Sequence, residues 1–298
     1  MKKTLEGETS SRRSRYLRRL RSAIDLVKSN REATIGATIV SAFIVTAVVV
    51  EVATLLHVPI TPYDPLKSSG PQLAPPSTAH VFGTDLVGRD VLSRLIVATP
   101  NDVAVGFAVV AFALALGLIV GSVAAFKGGL LDEALMRLTD VVFALPALII
   151  AMVIAVALGP GVTHMMVALM IIWWPPYARL ARGEALKVSH QNYIASARIS
   201  GAGTGTVIVK HVIPNIFRLM MVYATLDIGT VILVYSGLSY LGLSQTPPTP
   251  DWGEMVSSFQ DYLVTAPWLP MVPGLVIAAG VVGFSLLGDG LRDAMEAS

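Results

Sequence analysis

Apolar residues along this chain fall in long unbroken runs, not in the alternating or three-to-four spacing of elements half buried in a soluble core. Between Glu32 and Glu51 the sequence reads ATIGATIVSAFIVTAVVV, and between Asp102 and Lys127 it reads VAVGFAVVAFALALGLIVGSVAAF. Between Asp140 and Arg179 no charged residue intervenes, a length suited to two helices, with Gly159-Pro160-Gly161 as the turn between them. Further runs extend over about 216–243 and 268–287. A helix needs about 20 mostly apolar residues to cross hydrocarbon. The pattern therefore predicts an all-α, polytopic membrane protein with six transmembrane helices.

Composition agrees. Of 298 residues, 54% are hydrophobic and only 14% charged, where a soluble domain carries roughly a quarter charged. The absence of cysteine excludes disulfides, thiolate metal sites and cysteine nucleophiles. Net charge is a modest +2, but its distribution sets an orientation. The tail before the first run holds Lys2, Lys3, Arg12, Arg13, Arg15, Arg18, Arg19, Arg21, Lys28 and Arg31. If that end is cytoplasmic, alternate loops inside carry Lys127, Arg137, Arg179, Arg182, Lys187, Arg198, Lys210 and Arg218, and outside loops keep Lys67, Arg89 and Arg94. Both termini are then cytoplasmic. The first run has no small-residue exit of the kind a cleaved signal peptide carries, so it reads as a retained span. The Arg-rich segment before it, interspersed with Tyr16, Leu17, Leu20, Ile24 and Val27, suits an amphipathic helix on the inner leaflet, and residues 1–14 suit equally a disordered basic tail that only fixes topology.

These features divide the chain into a basic tail (1–31), a first span (32–57), an external segment (58–101), a five-helix core (102–293) and a cytoplasmic C-terminus (294–298). In the external segment Gly83 and Gly88 permit tight turns, Asp90 can cap a helix beginning near Val91, and Arg89 or Arg94 can pair with nearby carboxylates. Within the core, about 181–215 is a polar island between two apolar runs. Ala195, Ser196 and Ala197 are small and allow close approach by another surface. Gly201 and Gly203 let two short helices meet at an angle. Tyr193, Arg198, Lys210 and His211 offer polar contacts at its rim. Pro214, followed by Asn215, lacks an amide donor and marks re-entry to the membrane.

Several motifs agree in order: TPYDP, FGTDLVGRDVLSR, YIASARISG with HVIPN, LSYLGL, PPTPDWGEM, and PWLPMVPG with LLGDGLRD. Together, from about Leu20 to the end, they resemble the C-type permease subunit of the dipeptide/oligopeptide (peptide/nickel/opine) branch of binding-protein-dependent ABC importers. The resemblance implies the ABC type-1 importer permease fold in the cytoplasmic (inner) membrane of a prokaryote. It also implies that 181–215 is the loop by which a separate ATPase drives transport. The implied partners are a second, homologous permease subunit, two cytoplasmic ABC ATPase subunits that bind ATP and Mg, and an extracytoplasmic solute-binding protein. The cargo would be peptides, with nickel or oligosaccharides as alternatives in the same family. The sequence departs from the family loop in placing Ala195 where a glutamate is usual, which removes one surface carboxylate worth about 0–1 kcal/mol as an exposed ion pair.

Polar residues inside spans are costly and face a cavity or a partner. Asp227, halfway along the fifth run, is the clearest case, and reads equally as a lining of the translocation path or as a helix-packing acceptor. Gly117 and Gly121 stand at a spacing that lets a neighbouring helix come close. Among phosphate loops, paired histidine ligands and nucleophile elbows, none occurs; Ser200-Gly-Ala-Gly-Thr-Gly205 follows a helical pattern rather than a strand. The basic tail is a topology signal and not a nucleic-acid surface. A self-sufficient channel or ion-coupled carrier is the rival class, but it calls for intramembrane charge pairs and gives no reason for the polar loop.

Overall fold

The computed structural model describes residues 30–244 and 247–296; the expected amphipathic helix within the basic tail lies outside the described residues. Ten α-helices order the described residues. α1 spans Arg31–Leu55, α2 Val91–Lys127, α3 Gly129–Phe143, α4 Ala147–Leu158 and α5 Val162–Ser189. There follow α6 (Asn192–Ile199), α7 (Thr204–Val207), α8 (Ile213–Tyr240), α9 (Trp252–Phe259) and α10 (Trp268–Glu296). A π turn at Ile208–Val212 joins α7 to α8. Beyond helices and turns, the described residues contain one isolated bridge, Thr84 with Asp90.

Four helical stretches are long and apolar enough to cross a membrane: α1, α2, the continuous run Thr204–Tyr240, and α10. A fifth arises if α3 and α4 cross together, bent by 84° at their junction. The six expected spans are therefore four or five by length and composition among the described residues. The difference lies in the stretch from Asp140 to Arg179. Its first half is no single straight helix. Pro146, without an amide hydrogen, stands at the start of α4 and α3 ends at Phe143, leaving a 12-residue α4 too short to span alone. Its second half, α5, has the length at 28 residues, but Trp173, Trp174, Pro175, Pro176, Tyr177 and Arg179 lower its apolarity. The expected turn at Gly159-Pro160-Gly161 does separate α4 from α5.

The bundle is built on close helix approaches. α2 packs most extensively against α5, and α10 against α8 and α1. The stripe Gly117 and Gly121 makes the first contact possible: a Cβ on Gly121 would lie 2.3 Å from the Ala178 carbonyl oxygen. On the α1–α10 face, a Cβ on Gly36 would lie 2.4 Å from the Leu287 amide nitrogen. Such contacts gain dispersion where lipid offers no hydrophobic drive between helices. The outward faces remain apolar, with Val45 60% and Leu55 69% exposed on α1. A soluble protein rarely leaves such a face to water.

The segment between α1 and α2 is held by its charges. Asp90 caps α2 as expected, accepting from the Ser93 amide at 2.8 Å and from the Ser93 hydroxyl at 2.7 Å. His80 Nδ1 lies 2.9 Å from the other Asp90 oxygen. Asp85 accepts from the Arg89 amide and from Arg89 Nε at 2.6 Å. Arg94, 1% exposed, donates to the carbonyls of Pro65 and Pro248 and lies 3.6 Å from Glu254. One arginine thus ties the segment between α1 and α2, the start of α2 and the start of α9 together.

Candidate functional site

Two places carry the chemistry expected of the chain: the polar loop between α5 and α8, and a cavity in the bundle.

The loop is two short helices joined by a turn. Ile194 in α6, Val207 at the end of α7, and Ile208 and Val212 in the π turn are buried and anchor it to the bundle. Its other face is open. Ala195 and Ser196 are exposed and Ala197 is half-buried, while Ile199 is 87% exposed. Ser196 and Ser200 turn their hydroxyls back onto the carbonyls of Asn192 and Ser196, so neither competes for an outside partner. The turn depends on Gly201, whose φ of 85° lies in the left-handed region that costs other residues roughly 1–2 kcal/mol. Apart from its two chain neighbours, none of the described residues comes within 4 Å of a Cβ built there. Gly203 differs from expectation: its φ of −67° and ψ of 155° suit any residue. Tyr193 and His211 bring their rings to 6.5 Å across the loop. The Arg198 guanidinium sits 5.3 Å from the Phe126 ring at the end of α2. Pro214 falls in the first turn of α8, where its missing donor is harmless, and Asn215 donates to the His211 carbonyl. Beside the loop, Arg182 of α5 makes a two-pronged pair with Asp132 of α3, both contacts at 2.6 Å, a contact that spacing along the chain gave no means to foresee.

The cavity has a volume of about 940 Å³. The α3–α4 elbow forms one wall, and the middle of α5 and of α8 form the others. The bend at Pro146 therefore opens this space. Asp227 lines it, together with Phe143, Trp173, Tyr177, Arg179 and Tyr223. The Asp227 carboxylate accepts from the Trp173 indole N–H at 2.6 Å and from the Tyr177 hydroxyl at 2.9 Å, both on Oδ2. Its partners are on α5, so it bridges two helices while lining the space between them. Asp227 thus ties α8 to α5 and faces the cavity. Arg179 Nη2 pairs with Asp140 Oδ1 at 2.5 Å and its guanidinium lies over the Phe143 ring at 4.1 Å. Asp140 is thus an ion-pair partner at the cavity rim.

The site also takes Trp173 and Tyr177, to which the sequence reading gave no role. The signal was present in their spacing of four, which places both on one face of α5, opposite Asp227. A further buried acid, Asp102, was read as the polar edge of a span. It is fully buried in α2, near Asp251, which in turn caps α9 and accepts from Tyr235 at 2.7 Å.

Residues 113–298 match the family described as the binding-protein-dependent transport system inner membrane component. Individual relatives agree over most of their length. The chain is 39% identical over 225 residues to the "Probable D,D-dipeptide transport system permease protein" of Escherichia coli, covering 76% of each chain. It is 34% identical over 276 residues to the dipeptide transport system permease protein of Alkalihalophilus pseudofirmus, covering 93% of this chain and 89% of the relative. It is 38% identical over 221 residues to a glutathione transport system permease protein of Escherichia coli, covering 74% of this chain and 73% of the relative.

Proposed function

The chain belongs to the binding-protein-dependent transport system inner membrane component family, and from that premise we propose that it forms half of a peptide pathway driven from the loop between α5 and α8. It is a multi-pass permease subunit of an ABC importer and not itself an enzyme. In this reading α6, Gly201 and α7 present their open face to a cytoplasmic ATPase that binds ATP and Mg. Closure of two such subunits moves the loops of this chain and of a second, homologous permease. The helices tilt, and the pathway opens alternately toward the cytoplasm and toward a solute-binding protein outside.

The observation that carries the reading is the asymmetry of the loop. One face is sealed to the bundle by Ile194, Val207 and Val212, while the other is small, polar and open around a left-handed glycine. The lysine and arginine distribution supports a loop on the cytoplasmic side, with both termini there and the clasped external segment outside. Peptides are favoured as cargo because the relatives named above are dipeptide and glutathione permeases, and because the cavity offers an anionic group among aromatic walls.

The test is purification through this chain. An importer half is expected to bring ATPase subunits with it, and the complex in proteoliposomes to take up peptide only with ATP and binding protein. A chain that purifies alone and moves solute without ATP overturns the reading in favour of a self-sufficient carrier.

A further inference from the structure

The cavity shows more than a passage. It is walled by the aromatic rings of Phe143, Trp173, Tyr177 and Tyr223, and its charge is arranged unevenly. Arg179, at the rim, is answered by Asp140 at 2.5 Å. Among the described residues, Asp227 is answered only by neutral donors, the Trp173 indole and the Tyr177 hydroxyl. Neither carries a countercharge. Both hydrogen bonds converge on Oδ2, so neither occupies Oδ1 of a group that lines the cavity.

We propose that Asp227 and its aromatic walls form a station for a primary ammonium group, the free amino terminus of a peptide in transit. This rests on the peptide-importer reading above and extends it: the permease itself, and not only an external binding protein, selects for a charged amine. An ammonium supplies three donors and the missing positive charge. It can give one hydrogen bond to Oδ1 while the faces of Trp173, Tyr177 and Tyr223 stabilise the rest of its charge. A carboxylate at mid-span with no cationic partner is a costly feature, and a passing cation relieves that cost for as long as it stays. The donors on Oδ2 fix the carboxylate in place, so the guest meets a pre-oriented acceptor. The site is selective without being tight, because a pathway station must also release its occupant.

The same geometry separates candidate cargoes. A sugar, or a peptide whose amine is acylated, brings no charge and gains nothing from Asp227. The carboxyl end of a peptide finds no free cation at this station, since Arg179 is already paired.

The test uses the whole importer complex, purified through this chain and reconstituted in lipid nanodiscs without its binding protein. Radiolabelled L-alanyl-L-alanine is the probe, with N-acetyl-L-alanyl-L-alanine as competitor. Weak saturable binding to the natural complex is expected, with the acetylated competitor at least tenfold less effective than the unlabelled dipeptide. Asp227→Asn is expected to lower binding at least tenfold at normal assembly, and Asp227→Glu to restore part of it. Equal competition by the acetylated peptide, unchanged binding in Asp227→Asn, or no saturable binding to the natural complex overturns the proposal. Uptake is measured separately, in proteoliposomes supplied with ATP and the binding protein. If Asp227→Asn there imports dialanine at the natural rate, the ammonium station fails and the importer stands. If the natural complex there shows no ATP-dependent uptake, the importer reading itself falls.

Discussion

Gly117 of α2 lies directly under Tyr177 of α5: a Cβ on the glycine would come within 2.3 Å of the tyrosine Cβ and 2.8 Å of its carbonyl carbon. The tyrosine hydroxyl is 2.9 Å from Asp227 of α8. A missing side chain on one helix thus sets the depth at which a second helix presents a hydroxyl to a third. The pair explains why the cavity polar group is held from α5, and it makes the packing testable apart from the chemistry.

Gly117→Leu has no rotamer escape, because the clash falls on a Cβ and on backbone. Overpacking of this kind costs about 1–3 kcal/mol or more. We expect the purified protein to melt several degrees lower in detergent, with reduced yield of assembled complex. Gly183→Ala on α5 is the control: nothing lies within 4 Å of its added Cβ, and alanine favours the helix by about 1 kcal/mol. Fluorescence-detected size-exclusion melting curves compare them. Equal melting of Gly117→Leu and the natural protein would show that the two helices do not rely on this contact.

At Gly201 the expectation is reversed, since its strain is in the backbone and its surroundings are open. Gly201→Leu should insert and accumulate at close to natural levels, because among the described residues only its own chain neighbours come within 4 Å of the new Cβ. It should nevertheless cut ATP-driven uptake at least tenfold, by distorting the φ of 85° and placing bulk on the proposed ATPase face. Gly201→Asn, which tolerates the left-handed region better, should keep more uptake than the leucine variant. Gly203→Ala should be nearly silent, because that residue has an ordinary extended backbone. Full uptake in Gly201→Leu would sink the coupling role.

Much of this architecture was legible because membrane helices announce themselves by length and apolarity, and because caps are local. Asp90 before Val91 and the glycine-proline turn at 159–161 needed only neighbouring residues to be read. The Gly117 and Gly121 stripe was legible as a possibility, and α5 turned out to be the helix it accommodates. What escaped the sequence was non-local or hidden within an apolar stretch. Pro146 divides a run that hydropathy treats as continuous, since proline breaks a helix through a missing hydrogen bond and not through polarity. α5 carries its site through Trp173 and Tyr177, residues ambiguous between packing and recognition until Asp227, fifty residues further along the chain, is placed against them. Gly203 was over-read for the opposite reason: glycine permits unusual backbone without requiring it.

Orientation is open to direct measurement, because the natural chain has no cysteine. Single cysteines at Ser10, Ser189 and Ser298 should be shielded in intact cells from an impermeant maleimide and should react after permeabilisation. Cysteines at Ser68 and Thr249 should react from outside without permeabilisation. Outside labelling at Ser189 would place the loop on the wrong face for an ATPase.

Arg94 should be the residue on which the external clasp depends most. Its guanidinium reaches the Pro65 and Pro248 carbonyls at 3.3 and 3.1 Å, Asp85 at 3.7 Å and Glu254 at 3.6 Å. Removing one partner of a buried ion pair costs about 3–5 kcal/mol, because the carboxylates left behind keep their desolvation penalty without their countercharge. Arg94→Leu is therefore expected to lower the melting temperature strongly and to leave the segment 58–90 open to an externally added protease. Arg94→Lys should rescue little, since an ammonium lacks the planar fork needed to reach several acceptors at once. Arg89→Gln should be milder, because Asp85 retains Arg94 and the Arg89 side chain is partly exposed. The double variant Arg94→Leu with Glu254→Gln should recover part of the loss by removing one stranded charge. Limited proteolysis of intact cells and thermal melting of the purified protein measure both effects. If Arg94→Leu melts with the natural protein and its external segment stays protected, the hydrogen bonds of Asp90 and Asp251 hold the segment without the arginine.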